Sequence, residues 1–405
     1  MRQAYLSRII TYYNGELRDF KAHYLIVENG KIIGISEKKQ ENFVDYSDYV
    51  ILPGFVDTHT HLAQIDARAK WYPDLIGWLE KYIFPAELKF RDDEYARDAA
   101  QRFFKALASN GTTTAAVFSS PFKNATNIAF QEASERGLRI IMGQVMMDIN
   151  VPDELKISVE KAEKDTRELV NKWHGYNELL YYAVTPRFAV SCSMKLMKNL
   201  AKISREKELF VQTHISEQER EIEEVLKLNP DFKNYAEVYQ HAGLLGPKTI
   251  LAHGVHLSEE ELKIIKNENS SIAHCPSSNF FLHSGIMSID SMKRFKLRIG
   301  FGSDIAAGPY FSMFEVARDA SYSNSISPEE AFYYLTLGGA KSLGFDKITG
   351  SLEPDKSADF IVVSLENFDD LSTRELLSSL IYLGDDRNIV ATYVNGKEVY
   401  KREKI

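Results

Sequence analysis

Ile51-Leu52-Pro53-Gly54-Phe55-Val56-Asp57-Thr58-His59-Thr60-His61 decides how this chain is read. It is an apolar run that ends in two histidines two positions apart. On an extended strand, residues i and i+2 share a face. Both imidazoles therefore stand on one side, close enough to share a metal ion. Alone, the pair is also what two hydrogen-bonded or surface histidines look like. The question is whether other apolar runs end the same way.

They do. Candidate strands lie at 51–61, 111–118, 139–147, 179–188, 209–216, 249–257, 271–275 and 298–304, with helical patterns between them, among others at 92–109, 153–173 and 217–228. Eight strands alternating with helices predict an α/β fold of the (β/α)₈ TIM-barrel type, whose chemistry sits at the C-terminal ends of the strands. The fifth run closes on His214, with Glu217 opening the next helix. The sixth closes on His253 and the eighth on Asp304. Together with His59 and His61 these residues offer enough nitrogen and oxygen donors for one divalent metal with a position left open for water. Each has a structural alternative. A strand-end histidine can bond a carbonyl, Asp304 can cap a helix, and Glu217 can favour a helix N-terminus. The coincidence of four runs favours the joint reading. Of the other histidines, His274 is a candidate for the pocket wall and His256 for a loop or for orienting a neighbour. His23, His174, His241 and His283 read as surface or packing residues. Cys192 and Cys275 lack the Pro-Cys-x-x-Cys run of a cytidine-deaminase zinc set.

Working outward, residues 1–52 read as short strands, including a hairpin over 24–34 that turns at Asn29-Gly30. A similar hairpin turns at Asn395-Gly396, and residues 350–363 read as a turn and a strand. The two chain ends are expected to build one small β-sandwich from residues 1–53 and 349–405, beside a barrel of residues 54–348.

The 405 residues are 44% hydrophobic and 26% charged, with 22 Gly and 12 Pro, which excludes disordered, collagen-like and coiled-coil classes. Lys and Arg number 49 against 57 Asp and Glu, a net charge of −8. That excludes a bulk basic footprint for nucleic acid and a polybasic membrane anchor. Two cysteines fit a reducing compartment. The first eight residues lack the apolar run of a signal peptide, and no stretch reaches the roughly 18 apolar residues of a membrane helix. The expected setting is the cytoplasm, with neither nucleic acid nor membrane as partner.

Asp57-Thr58-His59-Thr60-His61 with His214, His253 and Asp304 resembles the amidohydrolase superfamily. The pairing of His214 with Glu217, and the stretch Ala273-His274-Cys275-Pro276, resemble its aminohydrolase branch of deaminases and chlorohydrolases. Pro53 to His61, Gln64, the stretch Trp78-Leu79-Glu80-Lys81-Tyr82-Ile83-Phe84-Pro85-Ala86-Glu87, Asn110 to Ala115, Thr185-Pro186-Arg187-Phe188 and Tyr382 to Ile389 are similar to the guanine deaminase family, over nearly the whole chain. The loop Ile65 to Tyr72, with Arg68 and Lys70, matches no motif of that family. Two-metal relatives use a carbamylated lysine after the fourth strand, and Val184 to Phe188 contains none.

The resemblance implies one zinc ion per subunit, with iron as a substitute, held by His59, His61, His214 and Asp304. It further implies Glu217 as proton donor, His253 and Asp304 as the groups that handle water, and a homodimer. The implied reaction is hydrolysis of guanine at C2 to xanthine and ammonia. Guanine presents O6 and N7 as acceptors, and Arg187, at the barrel mouth, can donate twice in a fixed fork. Gln64 can donate or accept at the ring edge, and Phe188 or Trp78 can face the flat base. The alternatives are a structural salt bridge for Arg187 and core packing for Phe188 and Trp78. Two other functions compete: an aminohydrolase acting on a thiomethyl- or homocysteinyl-adenosine or a chloro-triazine, and a non-catalytic scaffold.

Overall fold

The structure, a computed structural model, describes residues 2–403. The chain opens with four strands, β1 (Arg2–Tyr13), β2 (Glu16–Glu28), β3 (Lys31–Ser36) and β4 (Phe43–Pro53). Nine more follow: β5 (Phe55–His61), β6 (Thr112–Phe118), β7 (Arg139–Gly143), β8 (Val145–Met146), β9 (Leu180–Pro186), β10 (Phe210–Ile215), β11 (Thr249–His253), β12 (Ser271–His274) and β13 (Arg298–Phe301). The last three are β14 (Phe360–Val363), β15 (Ile389–Val394) and β16 (Lys397–Lys401).

The expected barrel is present. β5, β6, β7, β9, β10, β11, β12 and β13 run in that order as parallel neighbours, with the two-residue β8 paired to β9. The ring closes between its first and last strands, where Thr58 Oγ1 donates to the Phe301 carbonyl at 2.9 Å and Asp304 N–H donates to the His59 carbonyl at 2.9 Å. Barrel strands are covered on both faces, which is why they read as continuous apolar runs rather than alternating ones. Val56, Ala116, Ile141, Ala183, Ile250 and Ala273 fill the interior, with Phe345 and Leu343 packed against them. The third predicted strand, 139–147, is split at Gln144, whose side chain turns to the Pro121 carbonyl. The helix expected over 153–173 is a short turn followed by Val159–Trp173, restarted by Ser158 as N-cap.

The two chain ends meet in one mixed sheet of order β16-β15-β14-β4-β1-β2-β3. It has its own core of Tyr5, Ile9, Leu25, Val27, Ile51, Phe360, Val362 and Tyr393. Ala358 ties the two Asn-Gly turns together, donating to the Gly30 carbonyl at 2.8 Å and accepting from Gly396 N–H at 3.0 Å. The small β domain expected from the two ends is present, its seven strands forming one mixed sheet. Its first two strands are 12 and 13 residues long, not short, because Asn14-Gly15 makes a further hairpin turn that pairs them along almost their whole length. The chain passes from this sheet into the barrel at Gly54. A Cβ there would lie 2.2 Å from the Thr113 side chain, so only glycine lets the strands pass. No helix among the described residues is long and apolar enough to cross a membrane.

Candidate active site

His59 and His61 end β5, His214 lies one residue before the end of β10, and Asp304 follows β13. Their donor atoms converge. His61 Nε2 lies 3.1 Å from His59 Nε2 and 3.1 Å from His214 Nε2, and Asp304 Oδ1 lies 3.1 Å from His59 Nε2 and 3.2 Å from His61 Nε2. All four residues are at least nine-tenths buried. Three imidazole nitrogens and a carboxylate oxygen at one point cannot satisfy one another by hydrogen bonds. They do fit a single divalent ion, because ligands about 2.0–2.1 Å from a tetrahedral centre sit roughly 3.3 Å apart. Burial lowers the pKa of all three histidines, that of His61 to about 3. Burial opposes the charge on Asp304, but His59, His61 and His253 hold its carboxyl well below the usual range. Neutral imidazoles and an anionic carboxylate are the states a metal requires.

The backbone aims this set. His214 Nδ1 lies 2.6 Å from the Arg187 carbonyl. A carbonyl only accepts, so Nδ1 carries the proton and Nε2 presents its lone pair to the cluster. Asp57 accepts from His59 N–H at 3.2 Å, from Ser303 N–H at 3.0 Å and from Ser303 Oγ at 2.5 Å, which fixes both ends of the set relative to each other. At Gly302 a Cβ would stand 2.9 Å from that of His59. Ser216, His253 and Asp304 have φ of +48°, +73° and +47°, a left-handed conformation uncommon for side-chain-bearing residues and frequent at functional sites. Phe118 packs its ring against His59, His61 and His214.

A small cavity adjoins the cluster, lined by His61, Gln64, Trp78, Arg187, Phe188, His214, Glu217, His253 and Asp304 together with Leu75, Leu79, Leu282 and Ala307. His253 Nε2 lies 3.5 Å from Glu217 Oε2 and 3.7 Å from Asp304 Oδ2, and its Nδ1 is 3.0 Å from Asn279 Oδ1. Burial opposes charge on His253, yet the two carboxylates raise its pKa. Burial pushes Glu217 up to about 7 against the opposing pull of His253, with Asp304 and Glu221 adding to the rise. Glu217 precedes the helix Glu219–Leu228 rather than opening it, because Gln218 serves as the N-cap.

Across the cavity, Arg187 donates from Nη1 to Glu87 Oε1 at 2.6 Å while also lining the pocket. The salt bridge and the pocket position, alternatives in the sequence, occur together. Trp78 and Phe188 are likewise both buried and pocket-lining, and Trp78 Nε1 donates to the Lys70 carbonyl at 2.7 Å. His274 is buried among neighbours that leave both ring nitrogens unpartnered, and it does not line the cavity. His256 donates from Nε2 to the Ser284 carbonyl at 2.7 Å. The sequence did not single out Ser284, whose hydroxyl donates to Glu217 Oε1 at 3.2 Å, nor Asn279 or Glu87 as partners. Cys192 and Cys275 are buried and unbridged.

The profile of the Amidohydrolase family matches residues 50–399. Guanine deaminase of Escherichia coli (strain K12) is 40% identical over 372 residues, covering 88% of this chain and 84% of that protein. Guanine deaminase of Homo sapiens is 36% identical over 374 residues, covering 86% and 82%. Among solved structures, guanine deaminase from C. acetobutylicum with bound guanine in the active site superposes with a TM-score of 0.93 at 34% identity, over 99% of this chain and 100% of that one. With a family match over residues 50–399 and the His-x-His, His and Asp set at the barrel mouth, the chain belongs to the amidohydrolase family.

Proposed function

We propose that this protein is a guanine deaminase, hydrolysing guanine at C2 to xanthine and ammonia. One observation carries the reading: Arg187 and Gln64, which can read a purine edge, line the same small cavity as Glu217, His253 and Asp304, beside the four converging ligands. The similarity to guanine deaminases along most of the chain supports it.

His59, His61, His214 and Asp304 would hold one divalent ion, with zinc favoured by the three nitrogen and one oxygen donors. When bound, such an ion would lower the pKa of a water toward 7, so that hydroxide would be available at neutral pH. Asp304 and His253 orient the water and accept its proton. Glu217, kept protonated near neutrality by burial, gives its proton to N3 as hydroxide adds to C2. The gain at N3 lets the ring accept the electron pair, without which C2 is a poor electrophile. The proton held by Asp304 and His253 passes to the exocyclic nitrogen, the C2–N bond breaks, the C2 hydroxyl returns a proton to Glu217 as it becomes the carbonyl, and ammonia leaves xanthine behind. Arg187 donates to O6, Gln64 meets the ring edge, and Phe188 and Trp78 cover the faces of the base. Small size fits a free base better than a nucleoside. A homodimer accompanies the reading on the strength of the resemblance, and a cytoplasmic setting on that of two unbridged cysteines.

The test is release of ammonia and xanthine from guanine by the zinc-loaded protein, set beside adenine, adenine nucleosides and triazines. Turnover of guanine with negligible turnover of adenine is expected, since a site built around an oxo group rejects its absence by roughly 10⁴–10⁵-fold. Turnover confined to a nucleoside or a triazine overturns the substrate, and a protein that takes up no stoichiometric zinc overturns the metal.

A further inference from the structure

The short helix Phe84–Leu88 holds the Arg187 guanidinium from behind. Glu87 Oε1 accepts from Nη1 at 2.6 Å, and the Phe84 ring centroid lies 5.7 Å from Arg187 Cζ. The same Oε1 lies 3.4 Å from Gln64 Nε2, at the long end of hydrogen-bond range, while Gln64 Oε1 faces Ala306 N–H at 3.4 Å. Glu87 is 1% exposed and is not among the residues that line the cavity. Its other oxygen, Oε2, has no hydrogen-bond partner among the described residues. So this carboxylate is committed through a single oxygen to the two side chains that face the substrate edge.

We infer that Glu87 is the positioning residue that locks Arg187 and Gln64 into one arrangement selective for a purine with an oxygen at C6. The inference rests on the guanine reading above. A guanidinium selects a bidentate acceptor only when its plane is fixed. Glu87 at the edge and Phe84 against the face fix that plane and leave the rest of the fork toward the cavity. A carboxylate only accepts, so it also sets the sense of the Gln64 amide: the NH₂ end turns to Glu87 and the oxygen to Ala306. A change at Glu87 therefore loosens both readers without deleting either.

The experiment compares wild type with Glu87→Gln and Glu87→Asp, all zinc-loaded. It measures kcat and KM for guanine and the inhibition constant of 2-aminopurine, the same base without oxygen at C6. Metal content and Tm are recorded alongside. In Glu87→Gln, KM for guanine is expected to rise at least about tenfold, in line with losing a hydrogen bond to a charged group. kcat and the 2-aminopurine constant are expected to move less than about threefold. Glu87→Asp shifts KM the same way by a smaller factor. If Glu87→Gln does not fold, Glu87→Asp and Phe84→Leu carry the same ratio. Equal losses for the two bases, or an unchanged guanine KM in the variants that fold, overturn the inference. A wild type inert on guanine overturns the proposed function and this inference with it.

Discussion

The barrel contains two buried arginine–carboxylate pairs, one at each end, and they are built differently. Arg139 is the first residue of β7, at the N-terminal end of the barrel. Its Nε and Nη2 both donate to Asp359 Oδ2, at 3.2 and 3.1 Å, Nη2 also reaches Ser357 Oγ at 3.0 Å, and Nη1 donates to the Glu178 carbonyl at 2.9 Å. Asp359 Oδ1 accepts from Ser357 Oγ at 2.7 Å and Asn395 N–H at 2.8 Å. Arg187 follows β9, at the opposite end, and meets Glu87 through one nitrogen and one oxygen. Both pairs are equally hidden, with side chains 3% and 0% exposed in one and 4% and 1% in the other. Burial thus does not separate them, but saturation does. The filled pair welds the barrel to the terminal sheet, and the unfilled one keeps donors free for a guest. Barrels of this type commonly divide labour in this way, stability below and chemistry above.

That contrast can be broken from several directions. The upper end depends first on the ligand cluster. Chelation is expected to lower guanine turnover by at least about 10³-fold, with recovery on adding zinc. Turnover that survives complete metal removal would remove the cluster from the chemistry. Next, Glu217→Gln should bind zinc normally yet lose about 10²–10⁴-fold in kcat, the usual range for a general acid. Full activity in a zinc-replete preparation ends that role.

Arg187→Met tests the unfilled pair directly. kcat/KM for guanine should drop by about 10²-fold or more, the loss of charged hydrogen bonds to the base, while metal content stays stoichiometric. A loss of stability with unaltered kinetics would make Arg187 a twin of Arg139. The pH profile gives a smaller effect. The pKa of Glu217 is raised, so its acid form persists up to about pH 7 and is lost above it. kcat/KM should then fall toward tenfold per pH unit on the alkaline side, and a limb that persists unchanged in Glu217→Gln belongs to another group. The smallest effect on catalysis is expected from Arg139→Met. It strands Asp359 and should cost about 3–5 kcal/mol of stability, read by denaturant unfolding, with kcat of the folded fraction within about twofold. A collapse of kcat there would erase the division between the two ends.

Much of this was legible in the sequence for a physical reason. Barrel strands are buried on both faces, so an apolar run that stops at His214, His253 or Asp304 announces where the chain leaves the core. The Asn29-Gly30 and Asn395-Gly396 turns announced hairpins in the same local way. What was not legible joins residues distant in sequence. Glu87 and Arg187 are 100 positions apart, and Ser284 reaches Glu217 across 67. No periodicity marks such pairs. The stretch Trp78 to Glu87 stands out in the sequence as a family resemblance, but nothing local gives a role to the acid at its end. The long β1–β2 hairpin was likewise hidden, because its strands mix buried and exposed residues without regular alternation.

Arg187 gives two different things to the site, its guanidinium to the cavity wall and its backbone oxygen to His214. The oxygen belongs to the main chain, and all twenty amino acids carry it. Position 187 can therefore change its side chain without releasing the histidine below it. New substrate preferences can be tried at this point while the hydrolytic centre stays assembled, provided that Glu87 changes with it, because its buried carboxylate would otherwise stand unpaired.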